Sequence, residues 1–156
     1  ELGYNFLPSE ISAAFALEQL KKLNKNISIR NKNFEFLKNF FKKFIRYFKL
    51  PEFYPNVKTA WLAFPLVIKK NSKFNRRQLQ IFFEKNKIQT RTIFTGNILK
   101  QPIMKNLQYK KHYKCHLISN DVMENGILIG CHQGLKKQDL SNITKIFRKF
   151  VKYKNL

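Results

Sequence analysis

Six polar side chains stand in or beside apolar segments of this chain: Asn5, Thr90, Arg91, Asn97, Gln101 and His132. A polar group set against buried structure is costly unless it is paired. Each therefore has either a partner inside the chain or a ligand outside it. Arg91, between Thr90 and Thr92, is either a solvated surface arginine or a clamp for a phosphate or carboxylate, which a guanidinium grips with two hydrogen bonds. Asn5 lies just ahead of a helix start, where its amide can cap the helix or donate to a phosphate. Cys131 and His132 are neighbours, but adjacent strand residues point to opposite faces. Cys131 then belongs to a core and His132 to a loop, and the two form no nucleophile–base pair.

No self-contained catalytic machine accompanies these donors. The nine Asp and Glu residues are scattered singly, and neither GxGxxG nor GxxxxGK[ST] occurs. His112, His116 and His132 lack metal-ligand spacing. Cys115 and Cys131 make no CxxC and read as reduced thiols of a cytoplasmic protein. The chemistry on offer is recognition of an anion and donation of hydrogen bonds.

The elements that must position these groups follow from apolar periodicity. Ser9 is placed to cap a helix, with Glu10 in its first turn. Ala13, Leu17 and Leu20 form one stripe, and Ile11, Ala14 and Phe15 another, which predicts packing against two neighbours. A bend is expected near Leu23–Asn24. The pattern resumes through Phe34, Leu37, Phe41 and Phe44, so the helix spans about 9–47 and serves as a connector or interface. Residues 60–68 read as a strand, with Pro65 arguing for a sheet edge or a bulge. Asn75 caps a helix ending near Asn86. Residues 88–94 alternate as a second strand, followed by a loop through Gly96 and Pro102. A short helix at 119–125, capped by Ser119 or Asn120, precedes a third strand at 127–131. Leu140, Ile143, Phe147, Phe150 and Val151 line a final helix. The fold class is α/β (α+β): a long N-terminal helix and a sheet of about three strands with helices on one face.

The length of 156 residues suits one core-forming unit, and 44% hydrophobic content excludes a disordered chain. The longest apolar run, AWLAFPLVI, is strand length and too short for a membrane span. A net charge of +22 favours polyanions, yet the basic residues occur as scattered pairs with no basic run or basic–aromatic strand. Lys, Asn, Ile and Phe share A/T-rich codons, which accounts for the lysines without a nucleic-acid partner. A small basic nucleic-acid-binding module is thus the lesser reading, and a non-catalytic remnant is another.

Three motifs, in order, resemble one family. GYNFLPSEISAAFALEQLKKL is similar to the GYN segment of the DegT/DnrJ/EryC1/StrS family of pyridoxal-phosphate sugar aminotransferases, which have aminotransferase fold type I. TRTIFTGNILKQP resembles the TR-x-x-F-x-GN-x-x-x-QP stretch of its sugar 3-dehydratase branch, and ISNDVMENGILIGCHQGL resembles that branch's segment ending HPGL. Two departures are evident: Gln133 replaces the proline of HPGL, and Leu7 stands where many aminotransferases carry arginine.

The resemblance implies that residues 1–50 form a helical segment at a domain or dimer interface and residues 51–156 a small C-terminal α/β domain. It places before Glu1 a large domain carrying pyridoxal phosphate on a Schiff-base lysine, or the histidine that replaces it in 3-dehydratases. It makes Asn5 a ligand of the cofactor phosphate across a dimer interface, and Arg91, Asn97, Gln101 and His132 contacts of a nucleotide-sugar substrate. A homodimer, or a complement to a large-domain chain, is the implied assembly, and the chain alone is expected to be inactive.

Overall fold

The computed structural model describes residues 8–94, 96–110 and 116–156; Asn5, His112 and Cys115 lie outside them. Helix α1, Glu10–Phe41, contains neither glycine nor proline and runs without a bend at Leu23–Asn24. It ends six residues before the expected limit, in a 3-10 turn at Lys42–Phe44. The chain then forms β1, Phe48–Lys49, a two-residue strand that the sequence reading lacked. Phe48 is fully buried, and the Lys69 amide donates to the Tyr47 carbonyl at 2.8 Å. Burial of that ring turns the chain into the sheet.

Strand β2 is Ala63–Ile68, helix α2 is Arg76–Lys85 and strand β3 is Thr90–Thr92. Helix α3, His116–Asn125, leads into β4, Gly126–Gly130, and α4, Lys137–Tyr153, closes the described chain. The four strands lie in the order β1-β2-β4-β3, every pair antiparallel. Pro65 therefore sits in the second strand, not at the outer edge of the sheet. Pairing with β1 reaches only Val67 and Ile68, so the proline faces an open side all the same.

Alternation along β2 buries Phe64, Leu66 and Ile68 on one face, and β4 adds Ile127 and Ile129 to it. Helices α1, α2 and α4 cover that face with Phe34, Leu37, Phe41, Leu79, Phe83, Leu140, Ile143, Phe147 and Phe150. The core is aromatic. Phe41 meets Phe48, Phe64 and Phe147 at centroid separations of 5.5, 5.7 and 5.1 Å, in edge and offset geometries that add about 0.5–1.5 kcal/mol per pair beyond area burial.

Local chemistry fixes the element ends. Asn75 Oδ1 accepts from the Gln78 amide at 3.0 Å while Gln78 Oε1 accepts from the Asn75 amide at 3.1 Å, a reciprocal cap that opens α2 as expected. Ser9 occupies the cap position of α1 but its side chain makes no capping bond. Ser119 and Asn120 lie inside α3, which begins at His116, rather than capping it, and Asn120 Oδ1 accepts a hydrogen bond from Asn97 at 2.8 Å.

Within the described residues the first half of α1 meets neither of the two neighbours expected for it. Residues 8–25 are exposed on all sides, Ile11, Phe15, Leu17 and Leu20 included, and the buried residues are Asn33, Phe34, Leu37, Phe40 and Phe41. No helix among the described residues is long and apolar enough to cross a membrane.

Candidate functional site

Register places Arg91 across from Leu128, and Leu128 across from Pro65, on the sheet face turned away from the core. Thr90 and Thr92 pair with Ile129 and Ile127 on the other face. Arg91 is thus held out by the pleat, its neighbours fixed on both sides. Where β4 ends, the chain turns through Cys131, His132 and Gln133 toward α4. A cleft of about 400 Å³ opens between these parts, with Arg91, Leu128 and Gly130 on the sheet side, His132 on the turn, and Asp139 and Asn142 on the first turns of α4. Lys87, in the left-handed conformation at φ 61°, adds a second cation to its rim.

The turn is tightly specified. The Gly134 amide donates to His132 Nδ1 at 3.1 Å. That nitrogen must then carry its lone pair, so the neutral ring bears its proton on Nε2. A Cβ on Gly134 would lie 3.1 Å from Nδ1, a tight contact that the ring would have to shift to relieve. Asn33 of α1, 6% exposed, donates through Nδ2 to the carbonyls of His132 at 2.9 Å and Cys131 at 3.4 Å. Arg30, one turn earlier, donates through Nε to Gln133 Oε1 at 2.7 Å.

Cys131 is fully buried with its Sγ toward the Trp61 carbonyl, and burial pushes its thiol up to about 12, against a smaller opposing pull from Arg30. It lies one residue past β4 instead of inside the strand expected at 127–131, yet it is a packing residue as expected, and no nucleophile. Beside Arg91, Glu84 Oε1 accepts from the Thr90 hydroxyl and amide, both at 2.7 Å. The Thr90 side-chain bond, then the Thr90 backbone bond and the Arg91 charge, hold its carboxyl below the ordinary 4.5.

The residues singled out in the sequence divide into groups. Arg91 and His132 line one cleft. Asn97 is 5% exposed, and its amide is engaged at both ends, Oδ1 accepting from the Leu99 amide at 3.0 Å and Nδ2 donating to Asn120 at 2.8 Å. Gln101 joins two 3-10 turns, its amide donating to the Ile98 carbonyl and its carbonyl accepting from Met104. Neither Asn97 nor Gln101 lines the cleft. Thr90 serves Glu84. Asn5 lies outside the described residues.

Asn33, Arg30 and Gln133 were not picked out by sequence reasoning. Asn33 had one legible signal: it stands on the stripe of Leu37 and Phe40, where an amide must find a partner.

The described residues do not by themselves fit pyridoxal phosphate, which needs a phosphate cradle of free amides. The space a side chain would take at Gly96 is filled by Met123, that at Gly126 by the Val122 carbonyl and Ile93, and the Gly134 amide is spent on His132. Nor do the described residues contain a cluster able to hold a metal ion. What the cleft offers is a guanidinium for an anion and a fixed N–H donor.

The lipopolysaccharide biosynthesis protein RfbH of Salmonella typhimurium is 31% identical over 150 residues, covering 96% of this chain and 34% of the relative. The GDP-4-keto-6-deoxy-D-mannose 3-dehydratase of Escherichia coli O55:H7 is 36% identical over 132 residues, 84% of this chain and 33% of the relative. The structure of the E. coli GDP-4-keto-6-deoxy-D-mannose-3-dehydratase with bound hydrated PLP superimposes with a TM-score of 0.82 at 32% identity, over 94% of this chain and 37% of that one. The chain thus spans about a third of the length of these relatives. Residues 1–148 match the family model described as the DegT/DnrJ/EryC1/StrS aminotransferase family, and the chain belongs to that family.

Proposed function

We propose that this chain supplies the substrate-facing small domain of a pyridoxal-phosphate enzyme acting on a nucleotide-linked keto sugar in the cytoplasm, for surface-polysaccharide synthesis. The parent reaction is C-3 deoxygenation of a 4-keto-6-deoxy sugar or amino transfer to it. The observation that carries this reading is the 31–36% identity to RfbH and the GDP-sugar 3-dehydratase along nearly the whole chain. In this reading residues 1–50 are the interface segment and residues 51–156 the small domain. The cofactor is held chiefly by a large domain, with Asn5 reaching its phosphate from the other subunit of a homodimer. Pyridoxal phosphate, where bound, supplies the electron sink for chemistry next to a carbonyl.

The chain's own residues bind and orient. Arg91 pairs with a phosphate or other anionic group of the substrate. His132 donates its Nε2 proton to a sugar oxygen. Asn97 and Gln101 act one step back, holding the loop between Gly96 and Met104 in shape. Exposed Leu17 and Leu20 on α1 become covered in the dimer.

Titration of the isotope-labelled chain with GDP- and dTDP-linked 4-keto-6-deoxy sugars tests the binding. Shifts at the Arg91 guanidinium and the His132 ring that vanish in Arg91→Ala are expected. An unchanged spectrum at millimolar ligand overturns the assignment of both residues. The same chain mixed with pyridoxal phosphate alone is expected to gain no bound-cofactor absorbance.

A further inference from the structure

We propose that Asn33 and Arg30 of α1 are positioning residues for His132. Together they fix the turn that carries the ring, so that the imidazole is offered to the cleft as a single tautomer with its proton on Nε2. The relevance to function rests on the reading of His132 as a substrate contact; the positioning itself does not.

The argument is one of constraints. Four hydrogen bonds fall on three consecutive residues. Asn33 Nδ2 reaches the carbonyls of Cys131 and His132, the Leu135 amide also donates to the His132 carbonyl at 3.2 Å, and Arg30 Nε holds the Gln133 side chain. Asn33 and Arg30 lie three apart on α1 and so share a face. That face is seated on the core by Phe34, Leu37 and Phe41, each fully buried. The helix is therefore a rigid platform for the turn, across some 98–103 residues of sequence. On the other side, the Cys131 side chain is sealed in the core.

With the backbone pinned by α1, the Gly134 amide meets Nδ1 in only one ring orientation, and the choice of tautomer follows from that bond. Gln133 is the residue at which this chain departs from the HPGL pattern of the 3-dehydratase branch that it resembles. A proline would stiffen the turn through its ring; here a side chain held by Arg30 does so instead. Arg30 and Gln133 thus form a local replacement for backbone rigidity.

Two readouts on the labelled chain separate positioning from binding. The imidazole nitrogen shifts of His132, with the Gly134 amide shift, report the tautomer and its hydrogen bond. Nucleotide-sugar titration reports recognition. In the unmodified chain, Nε2 is expected to be the protonated nitrogen of the neutral ring. Arg30→Met keeps the aliphatic stem and removes the donor. It should mix the two tautomers and move the Gly134 amide, with sugar-nucleotide affinity reduced about tenfold.

Asn33→Ala should do the same more strongly. If it fails to fold, as judged by circular dichroism, Arg30→Met decides. Arg30→Lys, which keeps a donor of similar reach, should restore most of the Nε2 preference. A merely structural role would alter the melting temperature without moving the tautomer. Unchanged His132 and Gly134 shifts in folded Arg30→Met overturn the proposal. A tautomer that moves while sugar-nucleotide binding stays constant, or is never seen, leaves the positioning standing and rejects His132 as a substrate contact.

Discussion

The two halves of α1 form one uninterrupted helix with similar apolar content and opposite surroundings. In the second half Phe34, Leu37 and Phe41 are wholly buried; in the first, Ile11 and Phe15 are 82% and 67% exposed. Nothing in helix propensity distinguishes them, since neither half contains a breaker. What differs is whether a surface lies opposite. Phe41 has a sheet and α4 to meet; Phe15 has only solvent among the described residues. An apolar stripe therefore says that a covering surface is needed, without saying which chain provides it.

Substitution should separate the halves widely. Phe41→Ala removes a ring that touches Phe48, Phe64 and Phe147 and leaves a cavity no neighbour can fill. A loss of about 3–5 kcal/mol is expected from urea denaturation followed by circular dichroism. Replacing Ile11, Phe15 and Leu20 together by serine should change that stability by less than about 1 kcal/mol at dilutions where the chain is monomeric, because no contact within the chain is lost. The same triple variant should sediment as a smaller species than the parent chain, if the first half of α1 is the proposed dimer surface. A stability loss equal to that of Phe41→Ala would erase the contrast between the halves.

A middle-sized effect is expected where backbone, not side chain, sets the fit. Gly96 stands at φ +68°, and a Cβ there would come within 2.6 Å of the Met123 backbone Cα. Gly96→Ala meets both the left-handed penalty and a clash with an element that cannot retreat. A cost of about 2–4 kcal/mol is expected by thermal or urea unfolding. Since Asn97 follows directly, its bond to Asn120 should be lost with it, visible as a shift of the Asn97 side-chain amide.

Sequence alone reached most of this architecture through strong local signals. The Asn75 cap and the Leu140–Phe150 stripe of α4 each rest on interactions within a few residues, which a linear pattern records. It failed where distant residues decide. Strand β1 exists because Phe48 finds Ile68 twenty residues away, and two residues carry no period to detect. Asn120 reads as a cap by type but is claimed by Asn97. In the cleft, Arg91 and His132 were legible as polar residues beside apolar strands. Asn33 and Arg30, which hold the His132 turn from across the molecule, were not, because a helix period shows which residues share a face and not what that face meets.

The smallest effect refines the meaning of exposure itself. Glu84 is exposed like Phe15, yet it is ordered, joining the end of α2 to the start of β3 through two bonds to Thr90. Its carboxyl is held below 4.5 by the Thr90 hydroxyl first and the Thr90 amide next, with the Arg91 charge helping. A carboxylate whose value is lowered on folding contributes stability above its unfolded value and loses it as pH falls through the folded one. Glu84→Gln should therefore melt a few degrees below the parent chain at pH 7, with the gap closing as pH falls below about 4.5, the unfolded value. Thr90→Val removes the largest contribution to the shift and should raise the carboxyl's midpoint toward that ordinary value, followed by the Glu84 carboxyl carbon shift on titration. A gap that stays constant from pH 7 to pH 3 would mean that Glu84 acts through packing alone, and that an exposed group here is as unsupported as the first half of α1.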